Sequence, residues 1–564
     1  MSAAPWMESY PTNVQWDAEI VPQPLDALVD EAVERYPNKP CIDFLGQKYT
    51  FSQIGEQINQ ASSGFQKLGV SKGIKVGLFL PNCPQFVIAY FGILKAGGTV
   101  VNYSPLYSDA EIIRQVEDSH TDIMVTLNLK ALYPKIAFVL ENSRLRQIVV
   151  GTLSDVLPFP KNILFPLAKA KEISKTRTDD NHTSFRELLN NNGSYTSHSH
   201  QPESDVAVLQ YTGGTTGVSK GAMLTHANLY INTIQTAMWF TNVEPGREKI
   251  LGVLPFFHVF AMTVIMLQAM HIGAEIIMHL RFELENALKD IHKKQPTVMP
   301  GVPTMFAAIN NHPRLAQFDL SSLKGCISGG APLPLEVKQR FESQSGCTVF
   351  EGYGLTETSP VATANPLEGK NKENSIGLPV PLTRITITDR EDPRKELPIG
   401  ETGEICVEGP QVMSGYWQNE EATSSAIVDG RLHTGDIGYM DEDGYTFIID
   451  RMKDLILTGG FNVYPRNVEE AIYQHPLVVE CTVIGIPDDY YGQSVKAFVK
   501  LEDNSSLSSD ELTAFIRDKL GKHEIPKYIE FRNDLPKTMI GKLSKKELVA
   551  EELDRYQNAK AKNA

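Results

Sequence analysis

The feature that most constrains the fold is an alternation of short apolar runs with helical patterns, which extends from about residue 25 to residue 335. The run KVGLFLP at residues 75–81 predicts a buried strand, residues 85–96 predict a helix, and residues 98–103 predict the next strand. Because successive parallel strands need a crossover connection, usually a helix, this alternation predicts parallel sheets with helices on both faces. We therefore predict an α/β fold for this large N-terminal part.

Two changes of sequence texture divide the rest of the chain. After about residue 374, short alternating runs such as GEICVEG at residues 403–409 are separated by Gly and Pro, which predicts a β-rich subdomain. From residue 451 onward, helical patterns and apolar runs predict a small α+β domain. With 564 residues, the chain is long enough for several units with cores of their own.

Charge and cysteine content exclude several functional classes. The chain has 53 basic and 68 acidic residues and a net charge of −15, which disfavours a general nucleic-acid-binding surface. Its six cysteines include no C-x-x-C pair, so the sequence predicts neither a disulfide framework nor a thiolate zinc site. These properties are typical of a protein from a reducing compartment.

The sequence predicts a cytoplasmic protein. The N-terminal segment contains acidic side chains and no apolar run, unlike a secretory signal. The most apolar long window, residues 259–280, is interrupted by Gln268 and Glu275 and falls short of a membrane span. Peripheral contact with the inner membrane surface stays open, because residues 157–169 mix apolar side chains with lysines; an ordinary packed segment is the alternative.

A polar segment at residues 172–205 is rich in Ser, Thr and Asn, which predicts an exposed excursion. His182, His198 and His200 lie in it without a fixed ligand spacing. We therefore interpret these histidines as part of a solvated loop rather than as a metal-binding tract.

The segment YTGGTTGVSKGA at residues 211–222 has the composition of a phosphate-binding loop. Its glycines let backbone N–H groups approach a phosphate closely, its threonines offer hydroxyls, and Lys220 adds positive charge. A Walker A loop is excluded, because Gly217 is followed by Val218 rather than by Lys and Ser or Thr. A merely flexible turn is the alternative.

Two further segments follow the pattern of a strand, a turn and a helix or loop. Residues 325–341 (GCISGGAPLPLEVKQRF) place glycines between an apolar run and a helical pattern. In TVFEGYGLTETSP at residues 348–360, Tyr353 offers a flat face for a purine and Thr356 offers a hydroxyl for phosphate. Glu357 offers a hard oxygen ligand for Mg²⁺, although an acidic residue also favours a helix N-terminus.

A fourth segment, residues 429–465, carries Asp436 between Gly435 and Gly438. The Asp436 carboxylate can accept hydrogen bonds from both hydroxyls of a ribose, and Arg451 can reach a hydroxyl or a phosphate. An ordinary carboxylate in a surface turn is the alternative for Asp436.

Six segments resemble, in order and spacing, the motifs of the adenylate-forming superfamily, which includes acyl-CoA synthetases, firefly luciferase and peptide-synthetase adenylation domains. These segments are YTGGTTGVSKGA, SGGAPL, YGLTET, HTGD, DRMKD and PKTMIGK. The resemblance runs from about residue 10 to residue 548, and residues 429–453 look most like bacterial long-chain fatty-acid–CoA ligases. It implies that a fatty carboxylate attacks the α-phosphate of ATP and releases pyrophosphate, and that the thiol of coenzyme A then displaces AMP.

The resemblance also implies roles for the motif residues. The pyrophosphate side of ATP is assigned to Thr212, Gly213, Gly214, Thr215, Thr216 and Lys220. The adenine and ribose are assigned to Gly330, Gly352, Tyr353, Asp436 and Arg451. Mg²⁺ is assigned to Thr212 and Glu357, and the residues that act on the reacting groups are Lys542, Glu357 and Thr356.

By the same resemblance, residues 450–453 form a hinge that includes Asp450 and Lys453, between an N-terminal domain of residues 1–449 and a mobile C-terminal domain of residues 454–564. Gly459, Gly460 and Phe461 are assigned to coenzyme A. His258, in the apolar run LPFFHVFAMTVIML, is assigned to the acid pocket, with an ordinary core histidine as the alternative.

We therefore expect an ATP- and Mg²⁺-dependent ligase that joins a medium- to long-chain fatty acid to coenzyme A. The alternatives are a ligase for an aromatic, short-chain or carrier-bound acid and a non-enzymatic sensor of lipid or nucleotide. Loss of Lys542, Glu357 or the Thr-rich loop would favour a sensor, and all of them are present. The sequence leaves open whether the chain is a homodimer.

Overall fold

The computed structural model describes residues 4–212, 219–459, 461–502, 504–538 and 541–563, and the side chains in these ranges apart from residues 559 and 561–563. Within these ranges the chain has the predicted α/β fold: large, mainly parallel sheets in the N-terminal part, a separate antiparallel sheet, and a small α+β unit.

The strands of the N-terminal part are β1 Pro40–Phe44, β2 Gln47–Thr50, β3 Lys75–Leu78, β4 Thr99–Asn102, β5 Thr121–Leu127, β6 Gln147–Gly151, β7 His182–Ser184, β8 Val206–Thr212, β9 Lys220–Thr225, β10 Lys249–Gly252, β11 Glu275–Met278, β12 Val298–Gly301, β13 Gly325–Ser328, β14 Thr348–Gly354, β15 Val361–Ala364 and β16 Leu378–Pro379. The remaining strands are β17 Arg384–Thr388, β18 Gly403–Glu408, β19 Ile427–Val428, β20 Arg431–Met440, β21 Thr446–Arg451, β22 Ile456–Thr458, β23 Phe461–Val463, β24 Val478–Asp488, β25 Gly492–Leu501 and β26 Tyr528–Phe531.

The helices are α1 Ala27–Arg35, α2 Phe51–Lys67, α3 Pro84–Lys95, α4 Asp109–Ser119, α5 Tyr133–Asn142, α6 Lys161–Ala168, α7 Phe185–Leu188, α8 His226–Trp239, α9 Val259–Ala261, α10 Gln268–Ile272, α11 Leu284–Lys294, α12 Pro303–Asn310, α13 Leu335–Ser345, α14 Glu420–Ala426, α15 Pro465–Tyr473, α16 Ser509–Ile516 and α17 Lys545–Asn563. A π-helical turn, Met262–Leu267, joins α9 to α10, and short 3₁₀ turns include Thr356–Thr358. Among the described helices, none combines the length and apolar composition that crossing a membrane requires.

Two large sheets form the N-terminal part. One has the strand order β7-β6-β5-β3-β4-β8-β9, and the other has the order β16-β15-β14-β13-β12-β10-β11-β1-β2. The inner pairs of both sheets are parallel, and antiparallel strands stand only at their edges, as β9 does beside β8. Strands such as β3 and β5 are buried along their whole length, which explains why apolar side chains such as Val76 and Ile123 are frequent in them.

Helix α3 holds the two sheets together. All of its residues are buried, and Phe86 packs edge-on against Phe256, which follows β10. Just before the helix, the side chain of Asn82 donates to the Leu254 carbonyl oxygen at 2.8 Å and accepts from the Phe256 N–H at 2.8 Å. These two bonds tie the carboxyl end of β3 in one sheet to the carboxyl end of β10 in the other.

The later part of the chain forms two separate sheets. Strands β17 to β21 make an antiparallel sheet, and β22 to β26 make another sheet that packs helices α15 and α16 around its own core, including Ile456, Val468 and Leu512. Between them, residues 452–455 connect β21 to β22. The predicted hinge therefore covers the end of one sheet and the start of this connection.

Most of residues 172–205 are exposed or half-buried, as expected, but the segment is not merely a solvated loop. The segment contains β7, which pairs with β6 at the edge of the seven-stranded sheet, followed by the short helix α7. Its histidines are also packed rather than solvated: His182 bonds to Asp179 at 2.6 Å, His198 contacts Gln66, and the His200 ring lies 4.4 Å from the ring of His226. Polar composition alone concealed the last two contacts, because Gln66 and His226 lie outside the segment.

Candidate active site

A cavity of about 330 Å³ lies where the N-terminal part meets the small C-terminal unit. The predicted site residues that line it are Gly330, Gly352, Tyr353, Asp436, Asp450, Arg451 and Lys542. Gly330 and Gly352 belong to the carboxyl-terminal sides of β13 and β14, the edge at which parallel sheets commonly bind ligands. At Gly330 the backbone has φ +79°, and this left-handed conformation favours glycine.

Asp436 is the buried centre of this cavity wall. Its Oδ2 accepts a hydrogen bond from the Tyr353 hydroxyl at 2.6 Å, and its Oδ1 lies 3.0 Å from Arg451 Nε. Strand pairing explains the second contact, because Asp436 on β20 stands opposite Arg451 on β21. Burial, followed by the Asp436 charge, raises the pKa of Tyr353 well above its usual range, so the phenol stays a hydrogen-bond donor. The alternative of a solvated turn carboxylate is thus wrong.

The turn that leads into Asp436 is fixed by residues that sequence analysis missed. Glu404 on β18 accepts the Gly435 N–H at 2.9 Å through Oε1 and contacts His433 Nδ1 at 2.8 Å through Oε2. Cys406 stands directly opposite His433 in the antiparallel pair, with its sulfur 3.3 Å from Nδ1. The signal was available: Glu404 and Cys406 are two residues apart on a strand and therefore share one face.

Glu404, Cys406 and His433 are also metal-ligating residue types whose ligand atoms lie within 4.8 Å of one another. Their hydrogen bonds already account for this proximity, however. The Cys406 sulfur and the Glu404 carboxylate raise the pKa of His433 to about 10, so the imidazole carries a positive charge at neutral pH. A protonated imidazole has no free lone pair for a metal, and we interpret the cluster as an ion pair that supports the turn before Asp436.

Glu357 lies outside the described lining of the cavity, on the 3₁₀ turn that also contains Thr356. Its Oε1 accepts the Tyr416 hydroxyl at 2.7 Å, and Lys220 Nζ lies 5.1 Å from the centre of the Tyr416 ring. The second carboxylate oxygen of Glu357 has no hydrogen bond to any described residue. A partly exposed carboxylate with one free oxygen suits a hard cation such as Mg²⁺.

Thr212 and Lys220 stand opposite each other at the open end of the β8–β9 pair. The predicted Gly213, Gly214, Thr215 and Thr216 come between these two strands and lie outside the described residues. Sequence analysis also missed Tyr416, which an isolated bridge to Ala222 on β9 brings to Glu357.

Lys542 reaches the cavity from the C-terminal unit. The preceding residue, Gly541, accepts a hydrogen bond from the Thr304 hydroxyl of α12 through its carbonyl oxygen at 2.8 Å, which anchors this segment on the N-terminal part. Burial, followed by the charge of Arg451, lowers the pKa of Lys542 to about 8. Arg451 and Lys542 thus place two cations at one cavity, where an anion would relieve their repulsion.

His258 caps the short helix α9, where its Nδ1 accepts the Phe260 N–H at 3.3 Å. Burial, followed by the charge of Lys542, lowers the pKa of His258 to about 4, so its imidazole is neutral at pH 7. The π-helical turn begins shortly after it at Met262, and such turns often occur at functional sites.

The predicted hinge residues have different surroundings. Asp450 is buried, and its carboxylate accepts the N–H groups of Arg451 at 2.7 Å and Arg466 at 3.0 Å, which links β21 to the start of α15. Burial raises the pKa of Asp450. Lys453 is exposed in the connection to β22.

The described residues assigned to coenzyme A lie away from the cavity lining. Gly459 has φ +57° and donates its N–H to the Tyr491 carbonyl oxygen at 2.9 Å. Phe461 is 59% exposed and stacks on His523. Gly460 lies outside the described residues.

Comparison with known proteins identifies the family. Residues 29–417 match the family model described as AMP-binding enzyme, and residues 467–542 match the model described as AMP-binding enzyme C-terminal domain. The chain belongs to the AMP-binding enzyme family. The resemblance inferred from the motifs is confirmed.

Relatives of this AMP-binding enzyme are similar over nearly their whole length. A protein of Bacillus subtilis named long-chain-fatty-acid–CoA ligase is 44% identical over 98% of this chain and 99% of its own. A protein of the same name from Escherichia coli O6:H1 is 38% identical over 96% of this chain and 97% of its own. The solved structure of ATP-bound MatB from Rhodopseudomonas palustris matches with a TM-score of 0.83 and 27% identity, over 95% of this chain and 100% of its own.

Proposed function

We propose that this AMP-binding enzyme is a long-chain fatty-acid–CoA ligase. It uses ATP to activate a medium- to long-chain fatty acid as an acyl-adenylate and then transfers the acyl group to coenzyme A. The observation that carries the proposal is the 44% identity, over nearly both whole chains, to a protein named for this activity. The cavity that joins Asp436, Tyr353, Arg451 and Lys542 supports it as a nucleotide site.

In the first step, a carboxylate oxygen of the fatty acid forms a bond to the α-phosphorus of ATP, and the bond from that phosphorus to the bridging oxygen breaks. Pyrophosphate leaves with the bonding electrons, and the products are acyl-adenylate and pyrophosphate. Asp436 holds the ribose hydroxyls, and the Tyr353 ring lies against adenine between Gly330 and Gly352. Lys542 neutralises the negative charge that builds up around the α-phosphate.

The polyphosphate is held on the other side by Thr212, Lys220 and the loop between them, together with Thr356. Glu357 and Thr212 would hold Mg²⁺ through hard oxygen atoms, which the Glu357 oxygen that bonds to no described residue supports. When bound, Mg²⁺ supplies charge neutralisation for the phosphates. Tyr416 orients the Glu357 carboxylate through its hydroxyl.

The acid is received near His258, whose imidazole is neutral and therefore neither attracts nor repels the carboxylate strongly. The surrounding segment, including Phe260 and Met262, is buried and apolar, which suits an alkyl chain. The neutral imidazole acts as a hydrogen-bonding group at the head of this pocket rather than as a counter-ion.

In the second step, the sulfur of coenzyme A forms a bond to the acyl carbon, the bond from that carbon to the AMP oxygen breaks, and the thiol proton leaves to solvent. In the described arrangement Lys542 lines the ATP cavity, whereas Phe461 faces solvent. One orientation of the C-terminal unit therefore serves adenylation, and a rotation at Asp450 to Lys453 brings Gly459, Gly460 and Phe461 to the site for thioester formation.

Pyrophosphate release tests the proposed reaction with a panel of acids, with and without coenzyme A. We expect the specificity constant to increase from acetate to palmitate, since each buried methylene contributes about 0.8 kcal/mol. We also expect acyl-CoA to appear when coenzyme A is added. Equal specificity constants for both acids would contradict the fatty-acid assignment.

Two other results would favour the alternatives. Pyrophosphate release without formation of acyl-CoA, together with transfer of the acyl group to an acyl carrier protein, would indicate a carrier-dependent ligase. No release with any acid would indicate a sensor.

A further inference from the structure

An unusual surface surrounds helix α6. Phe159 is 78% exposed and Leu167 is 74% exposed, while Ile163 and Leu164 are each more than half exposed. We call these four residues the α6 patch. Single exposed apolar side chains are common on proteins, but a group of four on one short helix and the turn before it indicates an interaction site.

Helix α6 exposes its apolar face, whereas an ordinary surface helix turns its apolar face towards the core. Positions 163, 164 and 167 share one helical face, which points outward. Phe165, on another face, packs against the main core and anchors the helix. The apolar outward face is therefore not a consequence of the helix having detached from the protein.

The segment that carries the patch is basic. Residues 158–177 contain five basic residues and one acidic residue, a local charge of +4 on a chain whose net charge is −15. Lys161 bonds to the Leu45 carbonyl oxygen, Lys169 pairs with Glu172, and Arg177 pairs with Glu141. Lys171 and Lys175 are exposed and have no acidic partner among the described residues.

We propose that the α6 patch docks the enzyme on an anionic lipid bilayer. The four apolar side chains enter the boundary between headgroups and acyl chains, and Lys171 and Lys175 lie at the level of the anionic headgroups. The negative remainder of the chain is repelled by the same surface, so this face alone is turned towards the lipid. Docking would place the enzyme where long-chain fatty acids partition, although the inference does not depend on the proposed function.

Charge favours a bilayer over a second copy of the chain. In a symmetric dimer the same patch contributes to both sides, so two surfaces of charge +4 would face each other. An anionic bilayer is instead complementary in both charge and polarity. A second copy of the chain is therefore the outcome that the test must separate from lipid binding.

The test is flotation of the full-length protein with vesicles. One set contains equal parts of phosphatidylglycerol and phosphatidylcholine, and the other contains phosphatidylcholine only. Binding is measured at about 0.05 M and about 0.5 M salt. We expect binding to the anionic vesicles at low salt and much weaker binding to the zwitterionic vesicles or at high salt.

Two double variants separate the contributions of the patch. Ile163→Ser with Leu167→Ser should weaken partitioning at least tenfold, because apolar insertion is lost. Lys171→Gln with Lys175→Gln should weaken it about fivefold for each lysine and reduce its salt dependence. Ile399→Ser with Lys293→Gln is the matched control, because it removes an exposed apolar residue and an exposed lysine outside the patch.

Pyrophosphate release with a water-soluble medium-chain acid should be equal in all of these proteins, since α6 is not part of the proposed active site. Absence of binding to anionic vesicles, or equal binding by patch and control variants, would overturn the proposal. Sedimentation velocity identifies the competing case. A wild-type dimer that the Ile163→Ser and Leu167→Ser changes dissociate, without vesicle binding, would assign the patch to self-association instead.

Discussion

At the scale of single residues, the site is a set of charges that an anionic ligand would balance. Burial and Arg451 lower the pKa of Lys542 to about 8, and the charge of Lys542 in turn helps to keep His258 neutral. Lys542 is mostly protonated at pH 7 but loses its proton within the range in which enzymes are commonly assayed. Its proposed role therefore has a pH signature.

Lys542→Ala should lose acyl-adenylate formation by about 10²-fold or more, because a donor to the transition state is removed. The same variant should still form thioester from presynthesised acyl-adenylate and coenzyme A. Rapid-quench measurement of each half-reaction checks both expectations. Equal slowing of the two steps would mean that Lys542 does not leave the site between them.

The pH profile provides a second measurement on Lys542. For the wild type, kcat/KM for ATP in adenylation should fall as pH increases through about 8, since the free enzyme loses the lysine proton. Lys542→Arg should lack this alkaline decrease, even at a lower absolute rate, because a guanidinium does not titrate there. An unchanged decrease in the variant would assign the titration to another group.

Glu357→Gln should greatly increase the Mg²⁺ concentration needed for half-maximal adenylation. The substitution removes the negative charge of a hard ligand while its amide oxygen can still accept the Tyr416 hydroxyl. Tyr416→Phe is the matched control, because it removes that hydrogen bond and leaves the carboxylate. If both variants respond to Mg²⁺ as the wild type does, Glu357 is not a metal ligand.

At the scale of elements, strand pairing brings the side chains around Asp436 together. The β20–β21 pair places Arg451 beside Asp436, and the β18–β20 pair places Glu404 and Cys406 beside His433. Gly435, between His433 and Asp436, has φ +72° and donates its N–H to Glu404. Disruption of this ion pair should therefore alter the position of Asp436, because the backbone of Gly435 joins the two.

The His433 ion pair predicts a pH-dependent stability. The folded pKa of about 10 lies above the ordinary value of 6.5, so the stabilisation is fully present below about pH 6.5 and is lost as pH rises towards 10. The difference in the free energy of unfolding between wild type and His433→Asn should accordingly be largest near pH 6 and shrink by pH 10. Urea titrations at several pH values measure it, and a difference that grows with pH would show that His433 is not held in its charged form.

At the scale of the whole molecule, two parts with separate cores meet at the cavity, where the described residues include direct hydrogen bonds such as that from Thr304 to Gly541. The connection at residues 452–455 joins sheets that share no strand. We expect the C-terminal unit to turn about this connection between the two proposed half-reactions.

Lys453→Pro should therefore slow thioester formation at least tenfold and leave adenylation close to the wild-type rate. Proline fixes one backbone torsion within the proposed hinge, and Lys453 is exposed, so core packing is not disturbed. Lys453→Ala separates loss of the side chain from loss of rotation, and thermal unfolding checks that both variants fold. Equal rates of thioester formation in the two variants would place the hinge elsewhere.

Sequence alone was enough to predict the α/β class, the family, and elements such as the strand near residue 75 and the helix near residue 85. These depend on local periodicity and on motifs such as residues 211–222, where spacing along the chain carries the chemistry. Tertiary structure alone decided that Asp436 is buried between Tyr353 and Arg451, that Glu404 and Tyr416 support the site, and that the histidines of residues 172–205 are packed. It also decided which face of α6 points to solvent. The physical reason is common to all of these: burial and pairing join residues that are distant in sequence, and periodicity shows that a helix has an apolar face without showing what that face meets.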